Sequence, residues 1–363
     1  MPRELVYNSS VMNGTEIGDI VTKYMWVHEF QEDSTYRVFR GNFFYDPDRS
    51  AEALYDELQK SGYYASIRAV GSGYYEVIVY REIRYGRGNP LVNLVLFLLT
   101  VFTTLVVGAT LKGINPLTGF PGSLVHGIPF SFSLLLILGC HELGHYFASR
   151  RHGVEATLPY FLPIPHPLVG TLGAFIKIKS PIPSRKVLLD IGAAGPLVGA
   201  LVALPITVIG IHLSKYVPRE TAQGGILMGS SLLFGFLENL VKGSAPPGHD
   251  LLLNPMAYAG WFGFFVTSLN LFPLGQLDGG HIAYALFGRN HRYIARGFFL
   301  LLLGLGFLWP GYWFWAFLSL FIGLDHPPPL NNVTSLDGKR RTVAWISFFL
   351  LIITFVPVPF KVL

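Results

Sequence analysis

The sequence predicts a polytopic α-helical membrane protein, with about six crossings and a re-entrant segment, carrying a small N-terminal α/β domain. Three observations predict it. Of 363 residues, 51% are hydrophobic and 13% charged, against about 25% charged in soluble domains. The deficit is uneven: residues 1–90 hold an ordinary share of Asp, Glu, Lys and Arg, and long runs after them hold almost none. Several of those runs approach the roughly 20 residues that a helix needs to cross a hydrocarbon core about 30 Å thick. The expected division is residues 1–90, a cytoplasmic regulatory or docking domain, and residues 91–363, a transmembrane domain.

Within the first part, Thr35–Asn42 is rich in strand formers, and Asp46-Pro47-Asp48 is a turn and helix cap. Ser50–Lys60 places Ala51, Leu54 and Leu58 on one helical side. Tyr63–Ala69 and Tyr74–Arg81 read as strands joined by Gly71-Ser72-Gly73. The expectation is a β-α-β-β unit without any cluster of catalytic residue types.

The apolar segments follow in order. Leu91–Leu111 and Ile128–Ser149 are the first two spans. Leu158–Ile178 is apolar but interrupted by Pro159, Pro163, Pro165 and Pro167, which excludes a straight helix. Val187–Leu213 is the third span, and its Gly192, Ala193, Ala194, Gly195 and Gly199 favour close helix contact. Ile226–Val241 reads as a shorter apolar helix and Met256–Phe272 as a further span. Ile294–Trp309 and Tyr312–Leu324 read as a helical pair turning at Pro310-Gly311, and Thr342–Phe360 closes the chain.

Basic residues orient these segments. Arg81, Arg84 and Arg87 precede the first span, and Arg150, Arg151, Arg185 and Lys186 follow two crossings later. Cytoplasmic flanks collect Lys and Arg, so the N-terminal domain is expected on the cytoplasmic side of a cell membrane. Both ends of the proline-broken segment then lie on that side, and it dips in and returns. The net charge of +5 belongs to these flanks and not to a nucleic-acid surface. The first apolar run begins only at Leu91, so no signal peptide is expected. The single cysteine, Cys140, rules out an internal disulfide and leaves His and carboxylates as metal ligands.

The chemistry concentrates in the second span, in Cys140-His-Glu-Leu-Gly-His145. His141 and His145 stand at i and i+4, share one helix face, and can reach one metal ion. Glu142 sits one step round, able to take a proton from a zinc-bound water without being a ligand. An HExxH match by itself is common on solvated helices. Here the ionisable groups interrupt a run of Phe, Leu, Ile and Gly, where each charge costs about 2.5–3.5 kcal/mol at the bilayer centre. A third ligand is needed, and Asp190, His212, Glu238, Asp278 and His281 are the candidates in apolar surroundings. Asp278 stands out because Pro273 and Gly279-Gly280 would unwind the helix there and free its carboxylate to turn. His281 is a candidate supporting residue beside it, and Asp190 is expected at the membrane edge beside Lys186.

The two motifs together, HELGH and Asn270-Leu-Phe-Pro-Leu-Gly-Gln-Leu-Asp-Gly-Gly280, resemble the site-2 protease family of intramembrane zinc metalloproteases. The resemblance covers residues ~90–325 in pattern. It implies His141, His145 and Asp278 as Zn2+ ligands and Glu142 as catalytic base. It also implies that Asn270 binds substrate or polarises the scissile carbonyl, and that the substrates are membrane-spanning proteins cut within or near the lipid bilayer. The remaining text is similar to the subgroup of archaea, cyanobacteria and chloroplasts, in which a small α/β domain precedes the first span. Residues 206–254 are too short and too apolar to hold the PDZ-like insertion of many bacterial members.

A substrate helix shields its peptide bonds and must unwind before attack. The alternation at the end of Gly170–Lys179 suggests a hairpin that clamps the unwound strand, with Gly170, Thr171, Leu172 and Gly173 as substrate-binding residues. A loop sealing the site from lipid is the plainer reading of the same segment. Two other functions fit intramembrane His and Asp: a metal-ion transporter, and an inactive binder of membrane partners. Neither accounts for Glu142 directly beside His141.

Overall fold

The computed structural model of the chain describes residues 16–80, 89–116, 118–222 and 226–362. Arg81, Arg84 and Arg87, which orient the first span in the sequence, lie outside the described residues.

The N-terminal unit runs α1 (Glu16–Thr22), β1 (Met25–Glu32), β2 (Tyr36–Phe43), α2 (Pro47–Lys60), β3 (Tyr64–Gly71) and β4 (Tyr74–Tyr80). The four strands form an antiparallel sheet in the order β1-β2-β4-β3. Helix α2 starts where expected: the Asp46 side chain accepts from the Arg49 amide, and Pro47 occupies the first turn. Its Ala51, Leu54 and Leu58 bury against Phe39, Ile67 and Val77 of the sheet.

The expected β-α-β-β order is corrected to ββαββ, with a short helix in front. Strand β1 reads Met-Trp-Val-His-Glu-Phe-Gln-Glu and is buried fully only at Met25. An edge strand that packs one flank on a neighbour needs little apolar alternation, so it left no periodic signal.

Among the described residues, three helices are long and apolar enough to cross a membrane: α3 (Pro90–Leu111), α4 (Ile128–Arg151, with the short 3-10 segment Gly122–Gly127 ahead of it) and α5 (Arg185–Leu213). This is the pattern of a membrane protein. Shorter helices follow: α6 (Leu232–Lys242), α7 (Pro255–Asn270), α8 (Asp278–Phe287), α9 (His291–Leu305), α10 (Gly311–Ile322) and α11 (Gly338–Thr354). Helices α4, α5 and α7 pack on one another and form the heart of the molecule.

Small two-stranded sheets fill the connections. β5 (Tyr160–Pro163) pairs with β6 (Thr171–Phe175), and β7 (Lys215–Pro218) with β9 (His249–Leu252). β8 (Ile226–Met228) pairs with β10 (Phe360–Val362). The proline-broken segment is thus a hairpin, and two expectations need correction. Ile226–Val241 is not one helix: β8 comes first, and Ser231 caps α6 by accepting from the Phe234 amide. Thr342–Phe360 is not helical to its end, because α11 stops at Thr354 and Phe360 enters a strand.

The N-terminal unit is stitched to the rest through the stretch between α10 and α11. The Ile67 amide donates to the Leu330 carbonyl at 2.7 Å, and the Asn332 amide donates to the Ile67 carbonyl at 3.0 Å. Leu330 and Val333 pack on the core of the N-terminal unit. The Asn331 amide donates to the Pro183 carbonyl just before α5, and Lys186 of α5 pairs with Glu52 of α2 at 2.7 Å.

Candidate metal centre

Helix α4 presents His141 and His145 on one face, as the i,i+4 spacing requires, and both are buried. The third arm comes from a break in the chain. Helix α7 ends at Asn270, because Pro273 cannot continue it, and the chain turns through residues 271–277 before α8 begins at Asp278. The glycines after Asp278 do not unwind the helix, contrary to the expectation from sequence. Both lie in the first turn of α8. A Cβ on Gly279 would sit 1.9 Å from the Leu271 carbonyl oxygen, and one on Gly280 would sit 2.3 Å from the Gly275 carbonyl oxygen. They are needed because the turn folds back tightly on its own backbone.

The three side chains converge. His141 Nε2 lies 3.2 Å from His145 Nε2. Asp278 Oδ2 is 3.2 Å from His141 Nε2, and Asp278 Oδ1 is 3.2 Å from His145 Nε2. Tetrahedral ligands at 2.0–2.1 Å from zinc stand roughly 3.3 Å apart, close to the spacing between the two Nε2 atoms and between each of them and its nearer Asp278 oxygen. The donor chemistry fits as well. His145 Nδ1 is 2.7 Å from the Ile191 carbonyl oxygen, which can only accept, so the ring proton is on Nδ1 and the Nε2 lone pair faces the cluster. Among the described residues, His141, His145 and Asp278 form a group able to hold a metal ion. The His145 Nε2 lone pair facing a carboxylate in a buried site favours a cation between them.

Helix α5 makes room for this centre. A Cβ on Gly195 would meet His145 Nε2 at 2.1 Å, and one on Gly199 would meet His141 Nδ1 at 3.0 Å. The Gly144 face of α4 touches the backbone of Ala194 in the same way. The small residues seen in sequence therefore seat the imidazoles as well as the helices. The Ile191 carbonyl, Gly195 and Gly199 were not legible as site residues. Their only signal was the small-residue stripe itself.

Glu142 opens onto a cleft of about 190 Å³, lined also by His145, Asn270, Gln276, Asp278 and His281, with Ala174–Ile176 opposite. The Asn270 side-chain amide nitrogen is 3.3 Å from His141 Nε2. Ile176 of the hairpin and Glu142 line the same cleft. Gly170, Thr171, Leu172 and Gly173 sit further along the hairpin. Thr171, Leu172 and Gly173 line a separate apolar cavity with Leu138 and Phe262. The part of the hairpin that borders the cleft is Ala174, Phe175, Ile176 and Ile178, at the end of Gly170–Lys179 where the alternation lies in the sequence.

The other ligand candidates are elsewhere. Asp190 receives the Arg340 guanidinium at 2.9 and 2.6 Å and His152 Nε2 at 3.0 Å, whereas Lys186 pairs with Glu52. His212, at the far end of α5, and Glu238, on α6, do not join the metal group.

Residues 129–306 match the model of peptidase family M50. The chain is 32% identical over 244 residues to "Probable zinc metalloprotease EGY2, chloroplastic" of Arabidopsis thaliana, an overlap of 65% of this chain and 43% of that protein. It is 32% identical over 308 residues to "Probable zinc metalloprotease EGY1, chloroplastic" of Oryza sativa subsp. japonica, 73% of this chain and 50% of that protein. The chain thus spans about half the length of the curated relatives it matches, or less. No solved structure matches it.

Proposed function

Because this chain belongs to peptidase family M50, the site-2 protease family, we propose that it is a zinc metalloendopeptidase that cuts membrane-spanning proteins within or near the bilayer. One observation carries the reading. His141, His145 and Asp278, with 3.2 Å between the two Nε2 atoms and from each to an Asp278 oxygen, have a carboxylate beside them, Glu142, that their cluster does not use.

Zinc held by the three residues supplies Lewis acidity and makes water a usable nucleophile near neutral pH. Glu142 takes the proton of the attacking water and hands it to the departing amine, leaving a carboxylate and an amine in place of the peptide bond. Asn270, in the same cleft, donates its amide N–H to the scissile carbonyl. His141, Glu142 and His145 are buried, which keeps bulk water away from the proton transfers.

The substrate reaches the cleft as an unwound strand. Among the described residues, β6 has a partner, β5, on one edge only. Its other edge receives the substrate by strand addition. Contact runs along Gly170, Thr171, Leu172 and Gly173 and on to Ile176, which lines the cleft with Glu142. In the same reading, residues 91–363 form the protease domain, crossing a cell membrane about six times with the β5–β6 hairpin re-entrant. Residues 1–90 form a cytoplasmic regulatory or docking domain. The ion pair of Lys186 with Glu52 and the bond from Arg289 to the Ala69 carbonyl support this side, since they set basic flanks against the N-terminal unit.

Glu142→Gln tests the reading. The variant is expected to keep its zinc and to lose at least about 100-fold in cleavage of a transmembrane substrate. Undiminished cleavage would remove Glu142 from the mechanism. Wild-type metal transport with no cleavage of any membrane substrate would favour a transporter.

A further inference from the structure

A second group of histidines stands behind the metal centre. His281, one turn after Asp278 on α8, lines the cleft together with Glu142 and Asp278. Its Nδ1 is 2.6 Å from His326 Nε2, and His326 Nδ1 is 2.6 Å from the Pro327 carbonyl oxygen. The direction of this chain follows from its last member. A carbonyl only accepts, so His326 carries its proton on Nδ1. Burial, with His281 alongside, holds His326 well below the usual histidine range, at about 3, so the ring is neutral and its Nε2 accepts. His281 must then donate from Nδ1, which leaves its Nε2 as an acceptor. Among the described residues that Nε2 has no hydrogen-bond partner, although His281 borders the cleft. The ring is also fixed mechanically: Tyr284 packs on His326 at 4.9 Å, and Gly192 of α5 leaves just enough space for the His281 Cβ.

A strand bound in this cleft has two edges. One would pair with Ala174–Ile176 of the hairpin, which leaves the other to the remaining lining residues, Leu277, Asp278 and His281 among them. A peptide N–H on the second edge would be stranded in a buried site without an acceptor. We propose that His281, oriented by His326, is a substrate-binding residue that accepts one backbone N–H of the unwound substrate on the edge away from β6. The inference rests on the proteolytic reading above.

The test uses full-length protein in liposomes and a transmembrane substrate that the wild type cleaves. Single ester-for-amide replacements near the scissile bond each remove one substrate N–H. His281→Phe keeps a ring of similar shape and is expected to raise KM by about tenfold, with kcat and zinc content unchanged. His326→Leu should behave similarly, and His326→Gln, which offers both an acceptor and a donor, should stay within about threefold of wild type. One ester position should cost the wild type about tenfold and cost His281→Phe nothing further. The proposal is overturned if His281→Phe cleaves like wild type, if every ester costs both proteins equally, or if His281→Phe loses its zinc. A zinc-loaded wild type inert toward every transmembrane substrate would instead sink the proteolytic reading itself.

Discussion

Replacing Gly195 with alanine tests whether α5 seats the metal ligands. The residue is on α5, carries no functional group, and lies 50 positions from His145 in sequence. An added Cβ would fall 2.1 Å from His145 Nε2, 2.4 Å from Cδ2 and 2.6 Å from Cε1. Ordinary contact begins at 3.4 Å, so the ring or the helix must retreat by about 1.3 Å. The ring cannot retreat freely, because its Nδ1 is tied to the Ile191 carbonyl at 2.7 Å. Metal–ligand distances tolerate only about 0.2 Å. Loss of a supporting group typically costs 10–100-fold in metal affinity, and displacing a ligand should cost about 100-fold or more. Two variants calibrate the result. Gly199→Ala meets His141 at 3.0 Å and should weaken zinc binding only mildly, and Gly297→Ala on α9 meets nothing within 4 Å and should leave it unchanged. The assay is zinc stoichiometry of purified protein by mass spectrometry, with cleavage measured in parallel. A Gly195→Ala protein that folds, holds one zinc per chain and cleaves at the wild-type rate would refute the claim that this contact positions His145.

Three further predictions follow from the same structure. Removing the metal with a zinc chelator should abolish cleavage, zinc readdition should restore it, and the loaded protein should melt higher than the stripped one, since a ligand bound only to the native state stabilises it. Ile176→Pro removes a backbone N–H from the stretch of the hairpin that lines the cleft with Glu142. It should cut cleavage by at least about tenfold while zinc content stays normal, and unchanged cleavage would argue against strand addition along this stretch. In the N-terminal sheet, burial alone would raise the Glu76 carboxyl, but hydrogen bonds from Arg40 at 2.7 Å and Arg68 at 2.6 Å hold it below its usual range. Its contribution is full above about pH 4.3, the unfolded value, and is lost as pH falls through the lower folded value. Hydrogen exchange of strands β3 and β4, corrected for intrinsic rates, should show protection falling over that acidic window in wild type and a flatter profile in Glu76→Gln.

Much of the centre was legible because its residue types are costly where they stand. His141, Glu142 and His145 interrupt an apolar helix, and their spacing assigns them to one turn without any knowledge of the fold. The Asp278 motif was legible too, since Pro273 announces the end of a helix. Its glycines were misread. Nothing local distinguishes a glycine that loosens a helix from one that lets a turn press on its own carbonyls, as Gly279 does on Leu271. The edge strand β1 and the short strands β8 and β10 were missed, because a few residues paired on one edge carry no periodic apolar pattern.

By itself, then, the sequence determined a membrane-embedded chain, the donor types, and the helix that bears two of them, because lipid penalises every charge and every broken helix that has no purpose. Only the tertiary structure decided how Asp278 is brought to the histidines, which backbone carbonyl orients His145, and which stretch of the hairpin borders the cleft. Those depend on contacts between segments tens to over a hundred residues apart, such as Asp278 with His141 and Gly195 with His145. Their distances are decided by how closely α4, α5 and the turn after α7 can pack, and no property of one segment alone encodes that.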